Sequence, residues 1–261
     1  MSSHYHVEIT NISRGTGGSF AHSASYIYGR NIEDNYKHKT YYHKRSDVIF
    51  SKVYLPENAP AEYRDIQTLS NEINNAEKRY DARTAKSFVV SFPNELSLDG
   101  QIRALDNFVN ANFVDLGYIA IAAMHSGINL KDHSKDNPHA HILVSTRTVD
   151  ANGFSRIKPR ELNSRGCIFK WREEWAHELN RELERIHSKI RVSHESFEVL
   201  GIDRNPAMHL SQADYQREQR GERTIAGDRK REIQRYNEKK RQQERERDIQ
   251  RERQYTMERS R

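Results

Sequence analysis

Two histidines stand one position apart in the segment "DNPHAHILVSTR", Asp136 to Arg147. The apolar run that follows them reads as a strand, in which alternate side chains share a face. His139 and His141 therefore point the same way, and Ala140, Ile142 and Val144 point the other way, against helices. A His-X-His pair alone is most often a satisfied polar pair on a half-exposed strand. A third histidine changes that reading: His125 closes the preceding apolar run in "AAMHSG" and shares a face with Ile119, Ile121 and Ala123. If the two strands pair antiparallel across "INLKDHSKDNP", His125 comes opposite the start of the second strand and three imidazoles converge. Such a set holds a divalent metal and leaves positions open for water or substrate. Nitrogen ligands suit Mn, Co, Ni, Cu or Zn better than Mg, but cellular abundance favours Mg. The expected ion is Mn or Mg, with Zn, Co and Ni compatible. His133 reads as a solvent-facing loop residue. His4 and His6 form a second pair, of which one could support the site from a neighbouring strand.

A metal with open positions polarises a phosphoryl oxygen, so the next question is what attacks. Cys167 sits by a helix start with no base in view. No serine lies in an elbow motif, and no "GxxxxGK" loop is present to cradle nucleotide phosphates. Tyrosine is abundant, with 13 in the chain, and "SASYIYGR" places Tyr26 and Tyr28 on a short helix after a glycine-rich loop. Residues i and i+2 of a helix lie on different faces. Both cannot face the core, so at least one is free for another role.

The elements that must position these residues follow from periodicity. "HYHVEITNI" alternates as a first strand, and "FAHSASYIYGR" reads as a short helix with Ser19 as N-cap and Gly29 near its end. "YKHKTYYHKRSDVIFSKVYLP" is mixed and reads as a short hairpin closed by Pro56, and residues 60–80 have helical character. "KSFVVSFP", "YIAIAAMHSG" and "HAHILVSTRTV" are strands. An amphipathic helix covers 98–117, and a long helix carries Trp171, Trp175, Leu179 and Leu183 as its packing face. Adjacent strands joined by a loop imply antiparallel pairing. The expected fold class is α/β: a two-layer sandwich with a central antiparallel sheet covered by helices, followed by a charged C-terminal helix.

Composition supports a body with an appendage. Residues 214–261 hold 16 of the 43 Lys and Arg and 11 of the 37 Asp and Glu, so most of the net charge of +6 lies there. That segment has strong helix formers, interleaved charges and no apolar heptad, which favours a solvated helix over a coiled coil. Over ~34 residues it would span roughly 50 Å. It reads as a linker, a partner-binding helix or a solvated rod, in the manner of one end of a longer protein. Cys167 is the one cysteine, so no intrachain disulfide is possible and a reducing compartment is expected. With no apolar N-terminal stretch and no run long enough to span a bilayer, the expectation is a cytoplasmic protein without membrane insertion.

Five blocks resemble, in order from about residue 4 to about 212, the MobA/MobL relaxases of mobilisable and conjugative plasmids: "GGSFAHSASYI", "AMHSG", "NPHAHILVSTR", "WREEWAHELNRELER" and "GIDRNPAMHL". These are His-hydrophobe-His endonucleases. The resemblance implies a relaxase domain over 1–213 and a charged helical tail or linker over 214–261. It implies Tyr26 as nucleophile and His125, His139 and His141 as metal ligands. It implies nicking of one strand at a plasmid origin of transfer, giving a 5′-phosphotyrosine link and a free 3′-hydroxyl for conjugative mobilisation. One phosphoester replaces another, so the step is near energy-neutral, reversible and independent of ATP. A phenol has a pKa near 10, so attack needs help with the proton. One departure concerns that base: Ser87 and Val89 stand where carboxylates are expected, and only Glu95 in the following turn is acidic. A metal-bound hydroxide, His22 or Asp136 remain as candidates.

The substrate such chemistry requires is single-stranded near the cut, with an adjacent duplex or hairpin. "YKHKTYYHKR" interleaves rings that stack bases with cations that track phosphates: Lys37, Lys39, Tyr41, Tyr42, Lys44 and Arg45. "SRIKPR" adds Arg156, Lys158 and Arg160 as candidate backbone contacts. Accessory mobilisation and coupling proteins are the expected partners. Two other readings stay open. A rolling-circle replication initiator shares the metal site and tyrosine, but places the tyrosine after the histidines. A non-catalytic single-stranded-DNA-binding plasmid protein would bind without covalent chemistry and without a metal effect. A histidine-triad hydrolase needs a histidine at position 143, which is leucine.

Overall fold

A computed structural model describes residues 5–130, 132–133, 136–208 and 210–259; His4 lies outside them. The chain divides into two compact units, Met1–His194 and Glu195–Arg261.

The first unit is built on an antiparallel sheet. Its strands are β1 (Val7–Ser13), β4 (Val48–Tyr54), β5 (Arg83–Ser91), β6 (Tyr118–His125) and β7 (His139–Asp150), in the order β1-β5-β7-β6-β4, with the short β8 (Gly153–Phe154) paired to β7. A separate hairpin joins β2 (Ile32–Asp34) to β3 (Lys39–Tyr41). The helices are α1 (Phe20–Tyr28), α2 (Ile66–Ala76), α3 (Leu98–Val109) and α4 (Arg165–Arg185). Each starts where a short polar side chain accepts an otherwise orphaned backbone N–H: Ser19 for α1, Asp65 for α2, Ser97 for α3 and Ser164 for α4.

Side-chain alternation divides the core. On one face, Phe88, Val90, Ala120, Ala122, Met124, Ala140, Ile142 and Val144 pack with Leu105 and Phe108 of α3 and with Trp171, Trp175, Leu179 and Leu183 of α4. On the other, Ala85, Ile119, Ile121, Ala123 and Leu143 pack with Ala24 and Ile27 of α1 and Leu69 and Ile73 of α2. Helices therefore cover both faces, one layer more than the sequence pattern suggested. The added layer is α1 and α2, whose stripes are too short to dictate a partner. β4 was also hidden inside the mixed segment before Pro56. It is an edge strand paired to β6, and it turns Lys52 and Tyr54 toward Asp106 of α3.

In the second unit, α5 (Gln212–Gln219) precedes α6 (Ile225–Arg259), a single solvated helix. Residues 203–205 join this unit: Asp203 pairs with Lys240 and accepts from Tyr236, Arg204 pairs with Glu244, and Asn205 bonds Asn237. These polar ties put residues 203–205 with α6, and the division between the units falls at 194/195, upstream of the composition change at 213. Among the described residues, no helix is long and apolar enough to cross a membrane.

Candidate metal centre and nucleophile

Strand register brings the histidines together. β6 pairs with β7 so that His125 is opposite His139 and Ala123 is opposite His141. The three ring centroids lie 4.8–5.2 Å apart, and one ligating atom from each lies within 4.8 Å of the others.

Hydrogen bonds orient two of the rings. His125 is fully buried, and its Nε2–H donates to the carbonyl of Ile27 at 2.8 Å. The carbonyl can only accept, so Nδ1 carries the lone pair. That Nδ1 is buried with no hydrogen-bond partner. An orphaned buried acceptor costs about 1–3 kcal/mol, a cost that a metal–nitrogen bond removes. His139 donates from Nδ1 to Asn137 O at 2.8 Å, which leaves Nε2 as its free lone pair. Carbonyl partners of this kind fix tautomer and ring orientation in metal-ligating histidines. Burial lowers the pKa of His125, and burial together with the neighbouring imidazoles lowers that of His141 to about 3. Both are thus neutral at pH 7, the form that ligates. Three imidazoles, two of them held neutral by burial and one of these with an orphaned buried nitrogen, fit a divalent ion.

The expected tyrosine is beside them. Tyr26 is 45% exposed, on the last turn of α1. Its ring meets His141 edge-on at 6.2 Å and His43 edge-on at 5.6 Å. Tyr28 points away: it is buried, its hydroxyl donates to Lys52 O at 2.8 Å, and burial pushes its pKa up. Of the pair left open by the helix argument, Tyr26 is the one whose phenol is exposed beside the histidines.

The candidate bases are dispersed. His22 packs against Tyr41 and His43, and burial, then His43 and the nearby lysines, lower its pKa. Asp136 is tied within its own loop to Asn129 N and His133. Ser87 and Val89 lie on the histidine face of β5, with Val89 opposite His141. That face does carry a carboxylate one strand further out. Glu8 of β1 is opposite Val89 and lies 3.9 Å from His6, with its Cα about 10 Å from that of His141 by strand spacing. Alternation in "HYHVE" was the signal for it.

The expected DNA-contacting residues divide into two groups. Tyr42 and Lys44 are exposed, and Lys39 lies over the Tyr41 ring, all in the segment that brings His43 to Tyr26. Lys37 is drawn onto Gly17 O. Arg45 is half-buried, pairs with Asp47 through two hydrogen bonds and lies 4.6 Å over the Tyr26 ring. Arg156, Lys158 and Arg160 lie near the other end of β7, about 16 Å along the strand from His141. There Lys158 is committed to buried Glu77, which also holds Arg147 and Thr146. Arg156 and Arg160 are exposed. Sequence reading missed His43 as a neighbour of Tyr26 and Asp47 as the partner of Arg45. The "RSD" spacing, with the charges two apart on an extended chain, was the available signal for the latter. Cys167 is hydrogen-bonded to Glu161 O and Ser164 at the start of α4, a structural setting.

Comparison with known proteins places this geometry in context. The family model described as "MobA/MobL family" matches residues 19–220. A "Probable mobilization protein MobA" of Bifidobacterium longum is 29% identical over 248 residues, covering 78% of this chain and 42% of that protein. "Mobilization protein A" of Escherichia coli is 28% identical over 246 residues, covering 86% of this chain and 32% of that protein. The chain thus spans less than half the length of either relative. A solved structure described as "Molecular Basis of Vancomycin Resistance Transfer in Staphylococcus aureus" superposes with a TM-score of 0.65 at 24% identity, over 74% of this chain and 98% of that one, a likeness of fold. With a family match that runs from the N-cap of the tyrosine helix through α5, the chain belongs to the MobA/MobL family.

Proposed function

We propose that this chain is a DNA relaxase that nicks and rejoins one strand of plasmid origin-of-transfer DNA, with Tyr26 as nucleophile. The observation that carries this is the half-exposed phenol of Tyr26 edge-on to His141, beside three histidines whose ligating atoms lie within 4.8 Å of one another. His125, His139 and His141 would hold a divalent ion, Mn or Mg by preference and Zn, Co or Ni by ligand type, and that ion would supply positive charge against the negative charge developing on the scissile phosphate. The Tyr26 oxygen forms a bond to phosphorus, and the bond from phosphorus to the 3′ oxygen breaks. The phenol gives up its proton and the departing 3′ oxygen gains one, so charge and atoms balance and the reverse step reseals the strand. Tyr42, Lys44 and the Lys39–Tyr41 pair offer rings and cations to a single strand entering beside Tyr26. The exposed Arg156 and Arg160 meet DNA further from the cut, such as an adjacent hairpin. The setting is the cytoplasm, with accessory mobilisation and coupling proteins as partners.

The test is a covalent-adduct assay. Single-stranded oligonucleotides tiled across the DNA flanking the coding region are incubated with protein and Mn²⁺ and resolved on a denaturing gel. The expected result is an adduct that is lost with Tyr26→Phe and with EDTA and is retained with Tyr28→Phe. An adduct that survives Tyr26→Phe would move the nucleophile. Clear binding with no adduct on any oligonucleotide would remove the nicking reading.

A further inference from the structure

Arg45 is held with unusual completeness for a residue in a lysine-rich and tyrosine-rich surface segment. Nε and one terminal nitrogen bond the two Asp47 oxygens at 2.8 and 2.6 Å, a bidentate fork. The fork fixes the guanidinium plane, and that plane lies 4.6 Å from the Tyr26 ring centroid. The other terminal nitrogen, Nη1, is buried without a full hydrogen bond, and besides Asp47 it is the Tyr26 phenol that acts on this guanidinium. A guanidinium with two arms held by Asp47 and its face against Tyr26 is arranged to meet negative charge that develops at that phenol.

The backbone is also built for this contact. Gly29 caps α1 with φ 63°, and a Cβ there would come 2.9 Å from Arg45 N and 3.0 Å from Arg45 Cβ. Only glycine combines that conformation with so close an approach. Ser25 ties the same turn to the hairpin by donating to Arg30 O and Tyr41 O. The chain after the hairpin is thereby pressed onto the helix end that carries Tyr26.

We propose that Arg45 positions the Tyr26 ring and compensates the negative charge on its oxygen during attack and rejoining, with Asp47 as the residue that positions Arg45. This rests on the reading of Tyr26 as nucleophile. The guanidinium face fixes the ring by cation–π contact, and its charge compensates the phenolate. Lysine cannot substitute, because it lacks both the fork to Asp47 and the planar face.

The experiment measures three quantities on the full chain. These are the single-turnover rate of adduct formation at saturating oligonucleotide, the Kd for the same oligonucleotide in a Tyr26→Phe background, and the ¹⁹F NMR signal of Tyr26 labelled as its 3-fluoro derivative. Arg45→Ala is expected to slow the adduct step ~100-fold or more, the usual effect of losing one charge-stabilising donor. It should leave Kd and its salt dependence within about threefold, shift the ¹⁹F resonance, and recover rate on addition of methylguanidinium. Arg45→Lys, which keeps charge and bulk, should be slow as well, and Asp47→Asn should be slowed and shifted in the same direction. The proposal is overturned if Arg45→Ala raises Kd and flattens the salt dependence while the rate at saturation is unchanged, since that is the signature of a phosphate contact. It is equally overturned if Arg45→Lys matches the native rate, or if the ¹⁹F resonance ignores both substitutions. If the native protein binds but forms no adduct, the nicking reading falls, while the ¹⁹F comparison still decides whether Arg45 and Asp47 place the ring.

Discussion

His141 makes the metal-free protein sensitive to mild acid by an amount that can be worked out. Burial, and then the neighbouring histidines, hold its folded-state pKa at about 3 against an ordinary value of 6.5. As pH falls through 6.5 the unfolded chain takes up a proton that the folded chain refuses, so the unfolded state gains and stability drops. The full contribution is present above pH 6.5 and erodes at about 1.4 kcal/mol per pH unit below it. Between pH 8 and pH 5 the loss from this one group is about 2 kcal/mol, which for a unit of this size lowers Tm by about 4–8 °C. His125 shifts the same way and adds to the effect. The assay is thermal unfolding in EDTA at half-unit pH steps, comparing the native chain with His141→Leu. The slope difference between the two isolates His141 from the other histidines. A native Tm that is flat from pH 8 to pH 5, or a decline that persists unchanged in His141→Leu, would refute the argument that this imidazole is held neutral by its surroundings. Metal should work in the opposite sense: at a concentration a hundredfold over its Kd it adds about 2.7 kcal/mol to the folded state, so the Mn²⁺-loaded protein should melt well above the EDTA sample at pH 7.5, and His139→Ala should abolish that increment.

Three further outcomes follow from particular contacts. Tyr28→Phe removes the hydrogen bond to Lys52 O and should cost about 1 kcal/mol, seen as a small fall in Tm, with adduct formation intact. Glu77→Gln leaves Arg147 and Lys158 without their anion at a site where Glu77 is 6% exposed; a loss of about 3 kcal/mol is expected by denaturant titration, with native adduct rates at low temperature because the cluster is remote from Tyr26. Gly29→Ala meets both a positive φ and the Arg45 backbone. It should destabilise by about 1–2 kcal/mol and slow the adduct step more than Tyr28→Phe does, which single-turnover kinetics will show.

Much of the site was legible in the sequence because it rests on a period of two. Alternation puts His139 and His141 on one face, and the loop between two apolar runs forces the antiparallel pairing that carries His125 to them. The Trp171 to Leu183 face of α4 was legible for the same reason at helical spacing. What could not be read was anything dependent on a turn or an edge. β4 has a broken apolar pattern because Ser51 and Lys52 interrupt it, Lys52 being turned to Asp106 of α3, so it looked like part of a hairpin. The choice between Tyr26 and Tyr28 needed to know where Lys52 O lies, and that depends on β4. Arg45 read as one more cation in a basic stretch, because its pairing with Asp47 and its pressure against Gly29 are matters of backbone path. Lys158 read the same way, and a glutamate 81 residues away in sequence claims it.

The link between the candidate metal site and the proposed nucleophile lies in one backbone carbonyl. Ile27 O accepts from His125 Nε2–H, and Ile27 is the residue after Tyr26. The bond does two jobs that separate residues could have done: it sets the tautomer that leaves Nδ1 free to ligate, and it ties the last turn of α1 to the end of β6. Moving that turn away would break the hydrogen bond and free His125 to take the other tautomer. A metal bound at His125 would need Nδ1 deprotonated, the same tautomer that donates to Ile27 O. Tyr26 stands one residue before that carbonyl, so the hydrogen bond that sets the ligand's tautomer also holds the turn that carries the phenol. The free side of Tyr26 is then left to Arg45, whose fork to Asp47 reaches back to the β4 end opposite His125. Both restraints on Tyr26 therefore converge on the place where β4 and β6 meet.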